Sequence, residues 1–349
     1  MKICYTTICD VNYIAPALAL YASLRDVSDH AFRFYTLDDD AAVHLSGLKL
    51  PGAGVFAPGD YIPEPVAALR STRSEGAFAF TVKPVALLHA MQAGPEFEWV
   101  GHLDVDMWAF ADPGKILTSL DDLKTVSLTP HRFTASFRKY ESTAGRFNAG
   151  YAAFRSTDSG KAILQHWRAL CIEWCHDYVA GERYGDQKYL EVLADTYSAV
   201  DVCRHKGANT APWNVSPEML STRGGAIYID DDPLLFYHFQ GLKLYGPRLA
   251  TLYAGSELMV DGRLRELVYL PYVNALFAAN RQLELETAWV PRYVRRAPKT
   301  KLKALVNRML GKPHNFYRHH TDSRCGVLPD GGGNTLPMVE KTRRSDAQP

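Results

Sequence analysis

Short apolar runs alternate with helical periods through the N-terminal part of the chain. Lys2–Ile8 is almost continuously apolar and reads as a buried strand. Ile14–Arg25 carries apolar or small residues at Ile14, Ala17, Leu18, Tyr21, Ala22 and Leu24, the spacing of one helix face. A second strand over Phe32–Leu37 closes on three aspartates, Asp38 to Asp40, and a short third spans Gly54–Phe56. Val82–Ala93 reads as a helix with Pro84 in its first turn, before another strand at Trp99–Leu103. Strands separated by helical patterns predict an α/β protein with a mostly parallel, doubly wound sheet of Rossmann type.

The second half has less regular punctuation. A turn of small residues surrounds Asn148, a long helix spans Ser159–Ala180, and Gly185-Asp186-Gln187 heads another helix. Ala226–Ile229 and Leu234–Phe239 read as strands on either side of the Asp230–Pro233 turn. Beyond about Leu270 the pattern loosens, and after His320 a triple glycine and polar residues predict a disordered tail.

Composition narrows the class. The 349 residues are 47% hydrophobic and 22% charged, enough to bury a large core. With 39 Lys and Arg against 38 Asp and Glu, global charge gives no reason to expect a nucleic-acid partner. The six cysteines form no Cys-x-x-Cys pair or dense framework and read as reduced thiols. The apolar stretch at the N-terminus is too short for a signal peptide, and no run approaches the ~20 apolar residues of a membrane span. These features predict a cytoplasmic protein.

Trp99–Trp108 carries the most chemical information, because an apolar run there ends in two carboxylates one residue apart. In an extended strand Asp104 and Asp106 share a face, roughly 6.5 Å apart along the chain. Two acids at the carboxyl edge of a parallel sheet can hold a divalent cation where open α/β folds bind ligands; solvated turn aspartates are the alternative. Asp10, Asn12 and Tyr13 follow the first strand, where an aromatic ring can stack on a base and Asp or Asn can bond its edge or the ribose. An Asx turn with Tyr13 packed on the sheet accounts for the same residues. No Gly-x-Gly-x-x-Gly follows this strand, which argues against a dinucleotide site.

Other candidates come one at a time. Lys83 could reach a diphosphate or simply be solvated, and the Asn148 amide suits a sugar hydroxyl. Asp186 and Gln187 offer acceptors to a ligand or cap their helix. His238 is a lone histidine in an apolar strand, a metal ligand or a satisfied core group. Trp213 and Asn214 sit in a loop suited to a sugar face, although Trp213 could equally plug the core.

In chain order, these segments resemble the GT-A fold glycosyltransferases, most of all glycosyltransferase family 8 and its bacterial relatives. The resemblance covers roughly residues 1–250, and its tightest matches are the acidic pair and Phe147-Asn148-Ala149-Gly150. It implies a single GT-A domain over 1–270 in which Asp10, Asn12 and Tyr13 hold the uridine of a UDP-sugar. Asp104, Asp106 and His238 would ligate Mn²⁺ or Mg²⁺, with Asn148, Asp186 and Gln187 around the transferred sugar and Gly241 and Lys243 on the diphosphate. Asp186 and Gln187 are the catalytic candidates, Asp186 as nucleophile, base or sugar ligand. Lys243 stands one position earlier than the family's lysine, and the Pro-Trp that follows it in the family is missing. A histidine beside two carboxylates suits Mn²⁺ better than Ca²⁺.

Pro291–His320 carries nine Lys or Arg and no acid, with Leu302, Leu305, Val306, Met309 and Leu310 at helical spacing. That pattern predicts a cationic amphipathic helix on an anionic membrane surface, within a helical basic segment over 271–320, ahead of a disordered tail over 321–349. The combined expectation is a metal-dependent, retaining hexosyltransferase using a UDP-sugar and a hydroxyl of an envelope glycan or lipid-linked saccharide. Two alternatives stand beside it: a sugar-phosphate nucleotidyltransferase, which would need a Gly-rich phosphate loop that Asp10–Tyr13 is not, and a non-catalytic glycan-binding protein.

Overall fold

In the computed structural model, which describes residues 1–287, 289–293 and 315–318, β1 (Ile3–Cys9) is buried at every position. It lies inside a seven-stranded sheet with β2 (Ala31–Thr36), β3 (Ala53–Phe56), β4 (Trp99–Leu103), β6 (Val126–Pro130), β7 (Phe147–Arg155) and β8 (Val200–Val202). β5 (Met107–Ala109) stands outside it. The order is β3-β2-β1-β4-β7-β6-β8. Only β7 runs antiparallel to its neighbours, so the sheet is mixed and mostly parallel, as the alternating pattern predicts. A strand covered on both faces has no polar side to show, which is why β1 reads as a continuous apolar run.

Alternate residues of β1 feed two cores. Ile3, Tyr5 and Cys9 pack with α1 (Ile14–Val27), and Cys4 and Ile8 face the opposite layer. That layer holds α3 (Glu75–Gln92) and α4 (Asp158–Glu173), while α2 (Asp39–Gly47) borders β2 and β3. A third core, rich in tyrosine, gathers Trp213, Tyr237, Phe239, Tyr269 and Tyr272. α5 (Tyr189–Thr196) precedes β8, and α6 (Leu270–Thr287) packs on α1. Buried Val273, Leu276 and Leu283 of α6 join the same cores. The boundary expected at 270 therefore falls at the start of an integral helix, while most of the basic stretch over 291–320 and the tail over 321–349 lie outside the described residues.

Three expected elements change. α3 starts seven residues before Val82, where Ser74 accepts a bond from the Ala77 N–H, so Pro84 sits in the helix interior instead of its first turn. α4 ends at Glu173, short of Ala180, because Arg73 donates to the Cys171 and Ile172 carbonyls and closes the helix from another part of the chain. Phe147–Gly150 belongs to a long strand instead of a turn.

β7 departs from ideal pairing where it meets the cleft. Leu128 of β6 faces Ala152 but Thr129 faces Asn148, so Ala149–Tyr151 bulge away from β6. The Gly150 carbonyl in that bulge accepts the Asp104 N–H at 2.9 Å. A Cβ on Gly150 would meet Met107 Cε at 2.5 Å, Asn148 Oδ1 at 2.7 Å and His238 Cε1 at 2.8 Å. Gly150→Ala should accordingly cost about 1–3 kcal/mol in chemical denaturation and displace His238, because all three neighbours are buried among packed groups.

Candidate metal centre and ligand cleft

β4 stops at Leu103, and the next four residues turn, the Met107 N–H bonding the Asp104 carbonyl at 3.1 Å. Strand alternation is therefore not what aligns Asp104 with Asp106; the turn brings the two carboxylates together. β5 leaves the turn and pairs antiparallel with the strand Phe236–His238, setting His238 opposite Met107. The Phe239 N–H bonds the Asp106 carbonyl at 2.8 Å and locks the two segments together. Asp104, Asp106 and His238 thus present one ligand atom each, all within 4.8 Å of one another. His238 Nε2 lies 3.0 Å from Asp106 Oδ1 and 3.9 Å from Asp104 Oδ2. One ion with bonds of about 2.1 Å to each donor fits such spacings.

Behind the acidic pair lies a buried network. Lys83, only 3% exposed, places its ammonium 3.1 Å from Asp104 Oδ1, 2.9 Å from Asp186 Oδ2 and 3.0 Å from the Ala149 carbonyl that accepts its proton. The solvated-lysine alternative is excluded by that burial. Desolvation pulls the Lys83 pKa down, but Asp104 and then Asp186 outweigh it and raise it. Burial likewise pushes Asp104 up, and Lys83 and His102 hold it far below the usual carboxylate range. Asp186 moves the other way, because its burial exceeds what Lys83 returns. His102, absent from the sequence candidates, sets Nε2 at 2.9 Å from Asp104 Oδ1, and burial lowers its pKa to about 4.

These groups line one cleft of ≈ 930 Å³. Asp10 and Tyr13 lie on its wall. Asp10 accepts bonds from the Asn12 backbone and amide, an Asx turn, while the Tyr13 ring is half exposed. Asn12 is exposed and receives a bond from Arg292 at 3.5 Å. Asn148 is buried on the cleft wall, its Oδ1 accepting from Gly150 N and Asn209 Nδ2, both at 3.0 Å. Asp186 and Gln187 also line the cleft, three and two residues before α5. The capping alternative for Asp186 fails, since its carboxylate goes to Lys83; Gln187 donates to the Ala144 carbonyl at 2.7 Å.

Some candidates stand apart. Lys243 is exposed in the strand Lys243–Gly246, and Gln240 reaches the cleft wall in its place. Gly241 adopts φ +84°, a left-handed turn that carries the chain past the Tyr253 ring. Trp213 does face the cleft, edge-on to His238 at 5.2 Å. Asn214 is consumed by the loop: its Oδ1 accepts the Ala211 N–H, and its amide donates to the His131 and Asn209 carbonyls. Its amide, expected to face a sugar, is bonded within the protein instead. His131 lies in no acidic or periodic pattern and is placed by the Gly145 carbonyl, while Asn209, the other amide of the Trp213 loop, is placed by Thr129 and Asn148.

Charge makes the cleft unusual as a receptor. Among the described residues its walls carry five carboxylates, Asp10, Glu75, Asp104, Asp106 and Asp186, of which Glu75 pairs with Arg70 at 2.6 Å, against one lysine whose ammonium is already shared. Among the described residues, no helix is long and apolar enough to cross a membrane.

Two consequences can be measured. Lys83→Met leaves two carboxylates without their cation, so stability should fall by about 3–5 kcal/mol in urea unfolding. Asp104 and Asp186 would then hold protons more tightly when folded than when unfolded, so the deficit should widen as pH rises. Burial lowers the His238 pKa, but Asp106 and then Asp104 raise it above 6.5 on balance. In the metal-free protein the stabilisation from this imidazolium is complete below the unfolded-state pKa and fades as pH rises through the folded one. Since an ion needs the neutral ring, calorimetric titration should show divalent-ion affinity increasing across that same window.

No family model matches the chain. YfnD of Bacillus subtilis (strain 168), an uncharacterized protein, is 30% identical over 273 residues, covering 77% of this chain and 87% of YfnD. YfnF of the same organism, also uncharacterized, is 28% identical over 251 residues, covering 70% of this chain and 83% of YfnF. Among solved structures the chain is similar to a glycosyltransferase involved in glycosylation of the major capsid of PBCV-1, with TM-score 0.41, 13% identity and coverage of 68% of this chain and 93% of that one. Mouse xyloside xylosyltransferase 1 aligns with TM-score 0.40 and 10% identity over 68% of this chain and 98% of its own. The WbbM bifunctional glycosyltransferase aligns with TM-score 0.39 and 14% identity over 60% of this chain and 40% of its own. At 30% identity over 87% of YfnD, this chain belongs to the YfnD family.

Proposed function

We propose that this protein is a divalent-metal-dependent glycosyltransferase that moves a hexose from a UDP-sugar to a hydroxyl of a glycan or lipid-linked saccharide. The observation that carries this reading is the convergence of Asp104, Asp106 and His238 in a cleft with no uncommitted lysine or arginine among its described lining residues. A diphosphate brought into such a cleft meets, among the described residues, Asp10, Asp104, Asp106 and Asp186. Only a cation bound with it makes that favourable, and a donor set of two carboxylates and an imidazole suits Mn²⁺. The bound ion would supply charge stabilisation to the departing diphosphate.

The chain's own residues then have distinct tasks. Asp10, Asn12 and Tyr13 hold the uridine, Tyr13 by stacking its half-exposed ring. Asn148, Asp186 and Gln187 surround the hexose, and Gly241 lets the chain turn beside the diphosphate. Lys83 keeps Asp186 ionised and aimed at the sugar while fixing Asp104 in place. Transfer with retention follows from the resemblance to family 8, with Asp186 as the carboxylate on the sugar side. Basic residues in 291–320 would hold the enzyme near an anionic membrane surface where a lipid-linked acceptor is presented.

UDP release should be followed with a panel of UDP-sugars, with and without Mn²⁺ and EDTA. Turnover that EDTA abolishes and Mn²⁺ restores is expected, and Asp104→Asn or Asp106→Asn should lower it by at least ~100-fold with folding intact. Metal-independent turnover, or none with any donor, would refute the proposal.

A further inference from the structure

Asp104 is approached from two sides by donors that leave an ion little choice of oxygen. Its Oδ1 faces His102 Nε2 at 2.9 Å and the Lys83 ammonium at 3.1 Å. In either charge state of the imidazole, the nitrogen pointing at a carboxylate carries a proton, so Nε2 donates. Nδ1 on the other side of the ring stands 3.4 Å from Thr6 Oγ1, the neighbouring strand's hydroxyl. His102 is 1% exposed and Thr6 is fully buried, so the ring has no freedom to swing away. Oδ2, 3.9 Å from His238 Nε2, is the oxygen turned toward the metal donors.

We infer that His102 is a positioning residue that, with Lys83, saturates Asp104 Oδ1, restricts Asp104 to one-oxygen metal ligation through Oδ2, and so favours Mn²⁺ and Mg²⁺ over Ca²⁺. The chemistry follows from coordination preference. Ca²⁺ takes six to eight oxygens and commonly uses both atoms of a carboxylate, whereas the smaller ions are content with single oxygens and retained water. Outer partners of this kind orient first ligands, and their removal typically weakens binding by ~10–100-fold. The inference rests on the metal role proposed above and extends it to ion selectivity.

The test is Mn²⁺ binding to the full chain without donor or acceptor, read from the loss of the free ion's paramagnetic resonance signal, with Ca²⁺ as competitor. His102→Phe should weaken Mn²⁺ by ~10–100-fold and shrink its preference over Ca²⁺, and His102→Gln, which keeps an N–H, should recover part of both. Thr6→Val, nearly isosteric, removes only the ring's far anchor and should produce a smaller loss of the same sign. It provides the measurement if His102→Phe does not fold. Unchanged Mn²⁺ affinity and unchanged Mn²⁺/Ca²⁺ preference in a folded variant would overturn the role of His102 alone. Wild-type protein that binds no divalent ion would overturn this inference and the metal-dependent function together.

Discussion

One buried ammonium organises the cleft. Lys83 sits between Asp104, at the end of β4, and Asp186, just before α5. In a low-dielectric interior neither acid could remain ionised without it, and the lysine could not remain charged without them. Its third contact, to the Ala149 carbonyl, ties this charge cluster to the bulge of β7. The same ammonium therefore keeps one acid ready at the metal corner and another at the sugar side of the proposed site.

Backbone geometry completes what charge begins. The bulge lets the Gly150 carbonyl hold the Asp104 N–H, and the absence of a side chain at Gly150 leaves room for the His238 ring. Across the small ladder with β5, His238 is delivered beside Asp106. The loop Gly207–Asn214 supports both arrangements, its Thr210 pairing with the His238 backbone and its Asn209 amide reaching Asn148 and Thr129. Remote segments thus bring three donor atoms within 4.8 Å of one another.

The proposed chemistry follows from an imbalance. In the proposed reading, a cleft lined by carboxylates and aromatic rings would repel a naked pyrophosphate and take one escorted by a divalent ion, so that recognition of the ion and of the donor would be one event. Phe80, Tyr140 and Tyr184 also line the wall, and aromatic faces of this kind suit sugar rings.

Local sequence determined the elements whose signal is local. β1, α1, β2, β3 and β4 were legible because parallel strands and the helix beside them impose apolar runs and periods on their own residues. The acidic pair and His238 were legible as chemical types, and their order along the chain suggested the reading proposed for them. Tertiary structure alone decided how they meet: a turn instead of strand alternation for Asp104 and Asp106, a two-stranded ladder for His238, and an ion pair instead of a helix cap for Asp186. It also decided that α4 ends where Arg73 reaches its last carbonyls, that Asn214 serves its loop, and that His102 belongs to the site. The ladder, the ion pair, the closure by Arg73 and the bond from Asn214 to His131 each depend on a partner far away in the chain, and long-range partners leave no periodicity for a sequence to display.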